Sequence, residues 1–208
     1  MSLNVQYGCG LSAPANWLNF DVSPTLRLQR IPLLGRLIKK VNFPSSVLYG
    51  DILKGLPGIQ ANSCDAVYCS HVLEHLSYND CKLALKNTYD LLKKGAIFRC
   101  VLPDLEKCID LYLEDKKNHS SEASIKFMRS SLLGVENRPR GIKEKTMEVF
   151  GNSHHLWMWD KDSLKKELLD TGFSSVRICR FNDSVDENFK QVEDSSRFYA
   201  AFSLEAIK

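Results

Sequence analysis

No stretch of the 208-residue chain approaches 18 consecutive apolar residues, so no membrane-spanning helix is expected. The first five residues carry no basic cluster and no long apolar run, so they do not read as a secretory signal. Internal repeats, low-complexity tracts and Gly/Ser-rich linkers are absent, which argues against a repeat array, a mostly disordered chain or two tethered domains. The seven cysteines are odd in number and lack paired, metal-like spacing. Neither a disulfide framework nor a zinc ribbon is expected from them, and free thiols without an export signal point to the reducing cytoplasm. Net charge is scarce too. The 28 Lys+Arg against 25 Asp+Glu leave only +3, which speaks against nucleic acid as a partner.

What remains is ordinary globular usage, 44% apolar and 25% charged. The length suits a single domain over residues 1–208, with cap insertions at about 23–45 and 105–159. One local asymmetry stands out: residues 22–50 hold Arg27, Arg30, Arg36, Lys39 and Lys40 and no acid.

Strand and helix patterns alternate along the chain. Short strands are expected at residues 3–7, 17–22 and 46–49, and a buried one at 64–70 (CDAVYCS), nearly continuous in apolar residues as a central parallel strand should be. Cys81, Leu85, Thr88 and Leu92 recur at helical spacing over 79–94, with Gly95 placed as a C-cap. A strand follows at 96–102, then a helical start at 105–113. A helix over 161–171 is capped by Asp160 or Asp162 and closed by Gly172, and strands follow at 176–181 and 198–207. Such alternation predicts an α/β fold with a mostly parallel sheet and helices on both faces. Ligands of such sheets bind beyond the carboxyl ends of the strands, the edge from which both insertions leave.

The first strand runs into Gly8-Cys9-Gly10, a turn that lets a ligand approach the backbone closely. Residues 8–13 also satisfy the dinucleotide fingerprint literally, but the next acid, Asp21, comes only eleven residues after Gly10. That leaves room for about one helical turn, where a dinucleotide unit needs a full helix and an acid roughly 20 residues on. Asp21 and Asp51 each end a strand. An ionised carboxylate there is a pure acceptor, suited to ribose hydroxyls or to an exocyclic amine.

Together these features resemble the class I S-adenosylmethionine-dependent methyltransferases. The resemblance rests on NVQYGCG (4–10), WLNFD (17–21), GDILKGLP (50–57), DAVYCSHVLEHL (65–76), LLKKGAIFRCVLPDL (91–105) and HLWMWDKDSLKKELLDTGF (155–173), in the family's order and over nearly the whole chain. It implies a Rossmann-like sheet of seven strands with the last antiparallel, and S-adenosylmethionine as cofactor. It further implies that Tyr7, Gly8 and Gly10 line the methionine part, Asp21 holds the ribose, Asp51 and Ile52 flank the adenine, and Ser70 and His71 face cofactor and acceptor. The chain departs from the family pattern at Gln6, where an acid is usual two residues before the first glycine. It departs again at Ser12-Ala13-Pro14, which replaces the third glycine, and in its short first helix.

The implied reaction is methyl transfer to O or N of a small or carrier-linked acceptor. A sulfonium methyl is already an electrophile, so placement and exclusion of water carry most of the chemistry. His71 is the first candidate for a base or acceptor-orienting group, with His155, in the His-His-Leu-Trp-Met-Trp run, as a second. Residues 71–75 also read H-x-x-E-H, a zinc-peptidase pattern that belongs on a helix, whereas here it spans a strand end and a turn. Methyltransferases of small-RNA 3′ ends place a Glu-x-x-Glu-His segment and a distant His around Mg²⁺ at this point, and here His71 replaces the first Glu. The sequence therefore assigns no metal, and a metal-assisted RNA 2′-O-methyltransferase is an alternative. A catalytically silent fold kept as a binding module is another. The basic stretch 25–40 fits a helical lid best, an anionic-acceptor site next and a membrane-surface contact least, since Pro32 and Gly35 interrupt it.

Overall fold

A computed structural model describes residues 2–31, 42–137, 141 and 154–208. Seven strands form one sheet: β1 (Asn4–Tyr7), β2 (Leu18–Asp21), β3 (Leu48–Tyr49), β4 (Cys64–Ser70), β5 (Leu92–Pro103), β6 (Ser175–Cys179) and β7 (Ala201–Ile207), in the order β3-β2-β1-β4-β5-β7-β6. The first five pair in parallel, and β7 lies antiparallel between β5 and β6. The chain thus winds outward from β1 to β3, returns to β4 on the other side of β1, and winds outward again. That reversal opens a crevice at the carboxyl ends of β1 and β4.

Five α-helices are present among the described residues: α1 (Pro24–Gln29), α2 (Tyr78–Leu91), α3 (Leu105–Lys117), α4 (Ala123–Ser130) and α5 (Lys161–Thr171). Strand alternation sends β1 and β4 side chains to opposite faces. Val5, Tyr7, Val67 and Cys69 meet Cys81, Ala84 and Leu85 of α2 and Leu164 and Leu168 of α5. On the other face Ala66, Tyr68 and Val101 meet Trp17, Phe189 and Val192. Helices therefore cover both faces, but unequally. The second face is closed by two 3₁₀ helices, Glu187–Gln191 and Ser195–Phe198, rather than by long α-helices.

The 3₁₀ layer is clamped from within the sheet. Arg99, at the centre of β5, is fully buried and pairs with Glu193, with Asp183 at 2.9 Å and with Glu205 at 3.0 Å, and donates to the Arg180 carbonyl. A buried guanidinium is tolerable only when its donors are met this fully.

Several sequence boundaries move. The helix expected over 79–94 stops at Leu91, and Gly95 is no C-cap. Residues 92–95 already belong to β5, where the register slips between Cys64 and Ala66 and Gly95, at φ +78°, donates to the Lys208 carbonyl at 2.8 Å. Pairing with the chain's end overrides the helical pattern. By contrast α5 has the expected bounds: Asp160 accepts from the Ser163 amide at 2.7 Å, and Gly172 closes the helix at φ +118°. No helix separates β1 from β2, only turns. The helical start at 105–113 extends to Lys117, and α4 was not foreseen. A bridge between Asp104 and Trp159 joins the two ends of the 105–159 insertion. Most of the basic stretch, residues 32–41, and residues 138–140 and 142–153 lie outside the described residues, so the lid expected on 23–45 is not described.

Candidate functional site

The crevice at the β1/β4 reversal holds a cavity of about 400 Å³, within the range of small-molecule sites. It is bordered by the turn from Gln6 to Ser12, by Tyr68 and Ser70 of β4, and by the segment from Gln191 to Arg197. Gly8 and Gly10 both take left-handed backbone, at φ +64° and +55°. A Cβ on Gly8 would stand 2.2 Å from Val72 Cγ2, so the crossing of β1's turn over the segment after β4 demands glycine there. Nothing lies within 4 Å of the Cβ position of Gly10, whose backbone is open to a ligand.

Tyr7 borders the cavity, but its ring belongs to the core and its hydroxyl accepts from Thr88 Oγ1 at 3.2 Å. Burial holds its pKa well above the ordinary tyrosine value, so it stays neutral. On the opposite face Tyr68 points toward the cavity side. Tyr68 Oη and Ser70 Oγ are both buried and have no hydrogen-bond partner. Orphaned hydroxyls in a cavity wall are what a polar ligand would satisfy. Cys9 is held as a thiol, its pKa pushed up to about 12 by burial and by the Asp21 charge.

Asp21, 8% exposed, accepts from Gly10 N–H at 2.9 Å and from Ser23 N–H at 2.7 Å. It ties the glycine turn to the start of α1 without itself bordering the cavity. Asp51 organises the turn after β3, accepting from Leu53 N–H at 3.0 Å and pairing with Lys54 at 3.4 Å. Ile52 is buried in the core, and its carbonyl accepts from Asn87. The structure thus gathers Tyr7, Gly8, Gly10 and Ser70 around one cavity, with Asp21 just behind it and Asp51 and Ile52 outside its lining.

Gln6, the departure from the family's acid, is buried and donates its amide to Ser12 O at 2.9 Å and Asn19 Oδ1 at 2.5 Å. It acts as a brace for the turn. The acids that border the cavity come instead from residues 193 and 194. Glu193, already paired with Arg99, and the exposed Asp194 both border the cavity. Asp194 caps the second 3₁₀ helix, and the Ser196 amide holds its carboxyl below the usual aspartate range. Sequence reasoning missed Tyr68, Asp194 and Arg197. The only local signals were the Asp186-x-Asn188 and Asp194-x-Ser196 caps and two isolated apolar residues, Phe189 and Val192.

Beyond Ser70, His71 adopts left-handed backbone at φ +54° and donates from Nε2 to the Arg197 carbonyl at 2.9 Å. Its Nδ1 is 3.2 Å from Glu74 Oε1. Burial lowers its pKa, but the Glu74 carboxylate and the Arg197 carbonyl outweigh that, and the net shift is upward. The 3₁₀ turn Leu73–His75 follows. The Glu74 carbonyl accepts from the amides of Leu156 at 2.8 Å and Trp157 at 3.2 Å, which brings His155, 8% exposed, beside it. The His155 and His75 rings lie 5.0 Å apart, edge to face, and burial lowers the His155 pKa. Two histidines and a carboxylate from separate segments therefore share one corner.

A sequence family described as a methyltransferase domain matches residues 5–100. Over 100% of its length the chain superposes on a SAM-dependent methyltransferase from Archaeoglobus fulgidus, with a TM-score of 0.52, 16% identity and 86% of that chain covered. It also superposes over its whole length on a SAM-dependent methyltransferase from Thermotoga maritima, described as a possible histamine N-methyltransferase, with a TM-score of 0.53, 15% identity and 83% of that chain covered. No curated protein sequence matches. The fold is that of the class I S-adenosylmethionine-dependent methyltransferases, and the methyltransferase-domain match takes in its first five strands up to Cys100. S-adenosylmethionine is the cofactor of that class, and the orphaned hydroxyls and open glycine turn of the cavity fit it.

Proposed function

We propose that the protein transfers a methyl group to O or N of a small or carrier-linked acceptor. The observation that carries this is the cavity at the β1/β4 reversal, whose wall holds two buried hydroxyls with no protein partner. S-adenosylmethionine, when bound there, supplies a sulfonium methyl already activated for attack. Tyr68 and Ser70 hydrogen-bond its polar atoms, and the Gly8-Cys9-Gly10 backbone permits close approach. Asp194 takes over the ammonium contact that Gln6 has lost. Each oxygen of Asp21 accepts one amide and keeps a lone pair for the ribose. Asp51 and Ile52 remain the adenine candidates. His71 Nε2 donates to the Arg197 carbonyl and Nδ1 faces the Glu74 carboxylate at 3.2 Å, which suits an orienting cation better than a base with a vacant lone pair. His155, whose segment is held at the Glu74 carbonyl, shares the task of orienting the acceptor.

We place this work in the cytoplasm. All seven cysteines are unpaired, and among the described residues no helix is long and apolar enough to cross a membrane. The test is titration calorimetry of cofactor-stripped protein with S-adenosylmethionine and S-adenosylhomocysteine. Binding on the order of micromolar is expected. A folded sample that binds neither, with or without candidate acceptors, overturns the reading and leaves a binding module.

A further inference from the structure

Glu74 is 1% exposed, and neither of its carboxylate oxygens receives a hydrogen bond. A buried charge in that state is costly unless it is paired or coordinates a metal. His71 Nδ1, 3.2 Å from Oε1, approaches one side without hydrogen-bond alignment. Across from it stand His75 and His155. One ligand atom from each of Glu74, His75 and His155 lies within 4.8 Å of the other two. Donors about 2 Å from a shared zinc-type ion stand roughly 3–3.5 Å apart, so a side-chain adjustment of about an ångström closes the set.

The surroundings prepare these side chains. A carbonyl only accepts, so His75 Nδ1–H donates to His154 O at 3.0 Å and leaves the Nε2 lone pair as a ligand. Metal-bound histidines are oriented in this way. The amide of His155 donates to Leu132 O at 3.1 Å, and the next two amides are held by the Glu74 carbonyl. Both segments are thus fixed before any ion arrives.

We propose that Glu74, His75 and His155 bind one divalent transition-metal ion of the zinc type, with at least one coordination position open. Two imidazoles and a single carboxylate favour such an ion over magnesium, which prefers oxygen donors and retained water. The turn that carries Glu74 and His75 follows Val72, which packs on Gly8, so the ion stands next to the cofactor cavity. Its task, polarising an acceptor oxygen, rests on the methyltransferase reading, whereas the binding itself does not.

The 208-residue protein, stripped with chelator, is the sample, and Zn²⁺ and Co²⁺ alone are the probes. Expected results are about one zinc ion per chain by elemental analysis, a visible cobalt absorption band, and a metal-dependent rise in melting temperature. Glu74→Gln and His155→Ala should each lower retained metal by roughly tenfold or more, while His119→Ala, exposed and far along the chain, leaves it unchanged. Metal-free Glu74→Gln keeps the shape of the side chain and gives up only its charge toward His71 Nδ1, so it should still unfold cooperatively, and metal loss in a folded variant is not loss of fold. Substoichiometric metal in the parent, or undiminished metal in both ligand variants, overturns the site. A parallel titration with S-adenosylmethionine separates failures: cofactor binding without metal defeats this proposal alone, and metal without cofactor defeats the methyltransferase reading alone.

Discussion

Asp21 is asked to do two jobs, and its substitution separates them. Its oxygens accept from Gly10 N–H at 2.9 Å and Ser23 N–H at 2.7 Å, in a site only 8% exposed. Hydrogen bonds to a charged acceptor are worth about 1.5–3 kcal/mol each, so Asp21→Ala should cost about 3 kcal/mol or more of stability. Asp21→Asn keeps one oxygen and the same shape, and its amide must face one of the two N–H groups. Its stability loss should be smaller. Its cofactor loss should not be, because the acceptor-only carboxylate proposed to hold the ribose is gone from both variants. That contact is worth about 1–3 kcal/mol, or roughly a 5- to 150-fold weaker Kd. Urea unfolding gives the first quantity and calorimetry with S-adenosylmethionine the second. A folded Asp21→Asn that binds the cofactor within about twofold of the parent would refute the ribose role and leave Asp21 as a brace for the glycine turn.

Other expectations follow from single contacts. Tyr68→Phe removes a hydroxyl that the free protein does not use, so its melting temperature should not fall while cofactor affinity drops roughly 2- to 10-fold; a lower melting temperature with full affinity would show that the hydroxyl serves the fold. Gly8→Ala meets Val72 at 2.2 Å and must hold φ +64°, so urea unfolding should show a loss of about 2–4 kcal/mol, eased by adding Val72→Ala. Asp160 has a lowered pKa, chiefly because it accepts the Ser163 amide, so its contribution is complete above the unfolded aspartate value near 4 and fades as pH falls through the folded value. Asp160→Ala should cost about 1 kcal/mol at neutral pH and flatten the acid limb of the melting curve; a parallel curve would contradict the cap.

The parts of the fold legible in the sequence are those whose signals are local. The β4 bounds, the α5 cap at Asp160 and its closure at Gly172 needed nothing beyond a buried apolar run, one carboxylate and one glycine. The end of α2 differs from the expectation because Leu91 and Leu92 continue a helical pattern, while Leu92 pairs with Cys64 of β4 and Gly95 and Ala96 bond to Lys208, more than a hundred positions away. Residues 182–197 carry no element signal of their own, because part of what orders them is Arg99 in β5, through Asp183 and Glu193. The glycine turn of the cavity was legible, but the cavity's far wall, residues 191–197, was not. His155 was singled out for its neighbourhood in the chain, whereas its proximity to Glu74 and His75 depends on the backbone bonds at the Glu74 carbonyl.

The three departures from the family pattern bear on one question, whether the site survives them. The missing third glycine and the helix-free passage from β1 to β2 leave the β1 side with fewer supports, of which Gln6 is one, through its bonds to Ser12 O and Asn19 Oδ1. The β4 side compensates. His71 holds φ +54°, a conformation that costs a side-chain-bearing residue about 1–3 kcal/mol unless its surroundings impose it. Here they do. Its amide donates to Val101 O at 2.9 Å, its ring to Arg197 O, and the next residue is pinned against Gly8. Two residues further, the Glu74 carbonyl holds the segment that carries His155. A corner fixed by three segments distant in sequence does not need a helix after β1 to keep its shape. Loosening should therefore spread from β4 rather than from β1: cutting the contact at Arg197 or Glu74 disorders the acceptor side, while changes near Ser12 to Pro14 leave it in place.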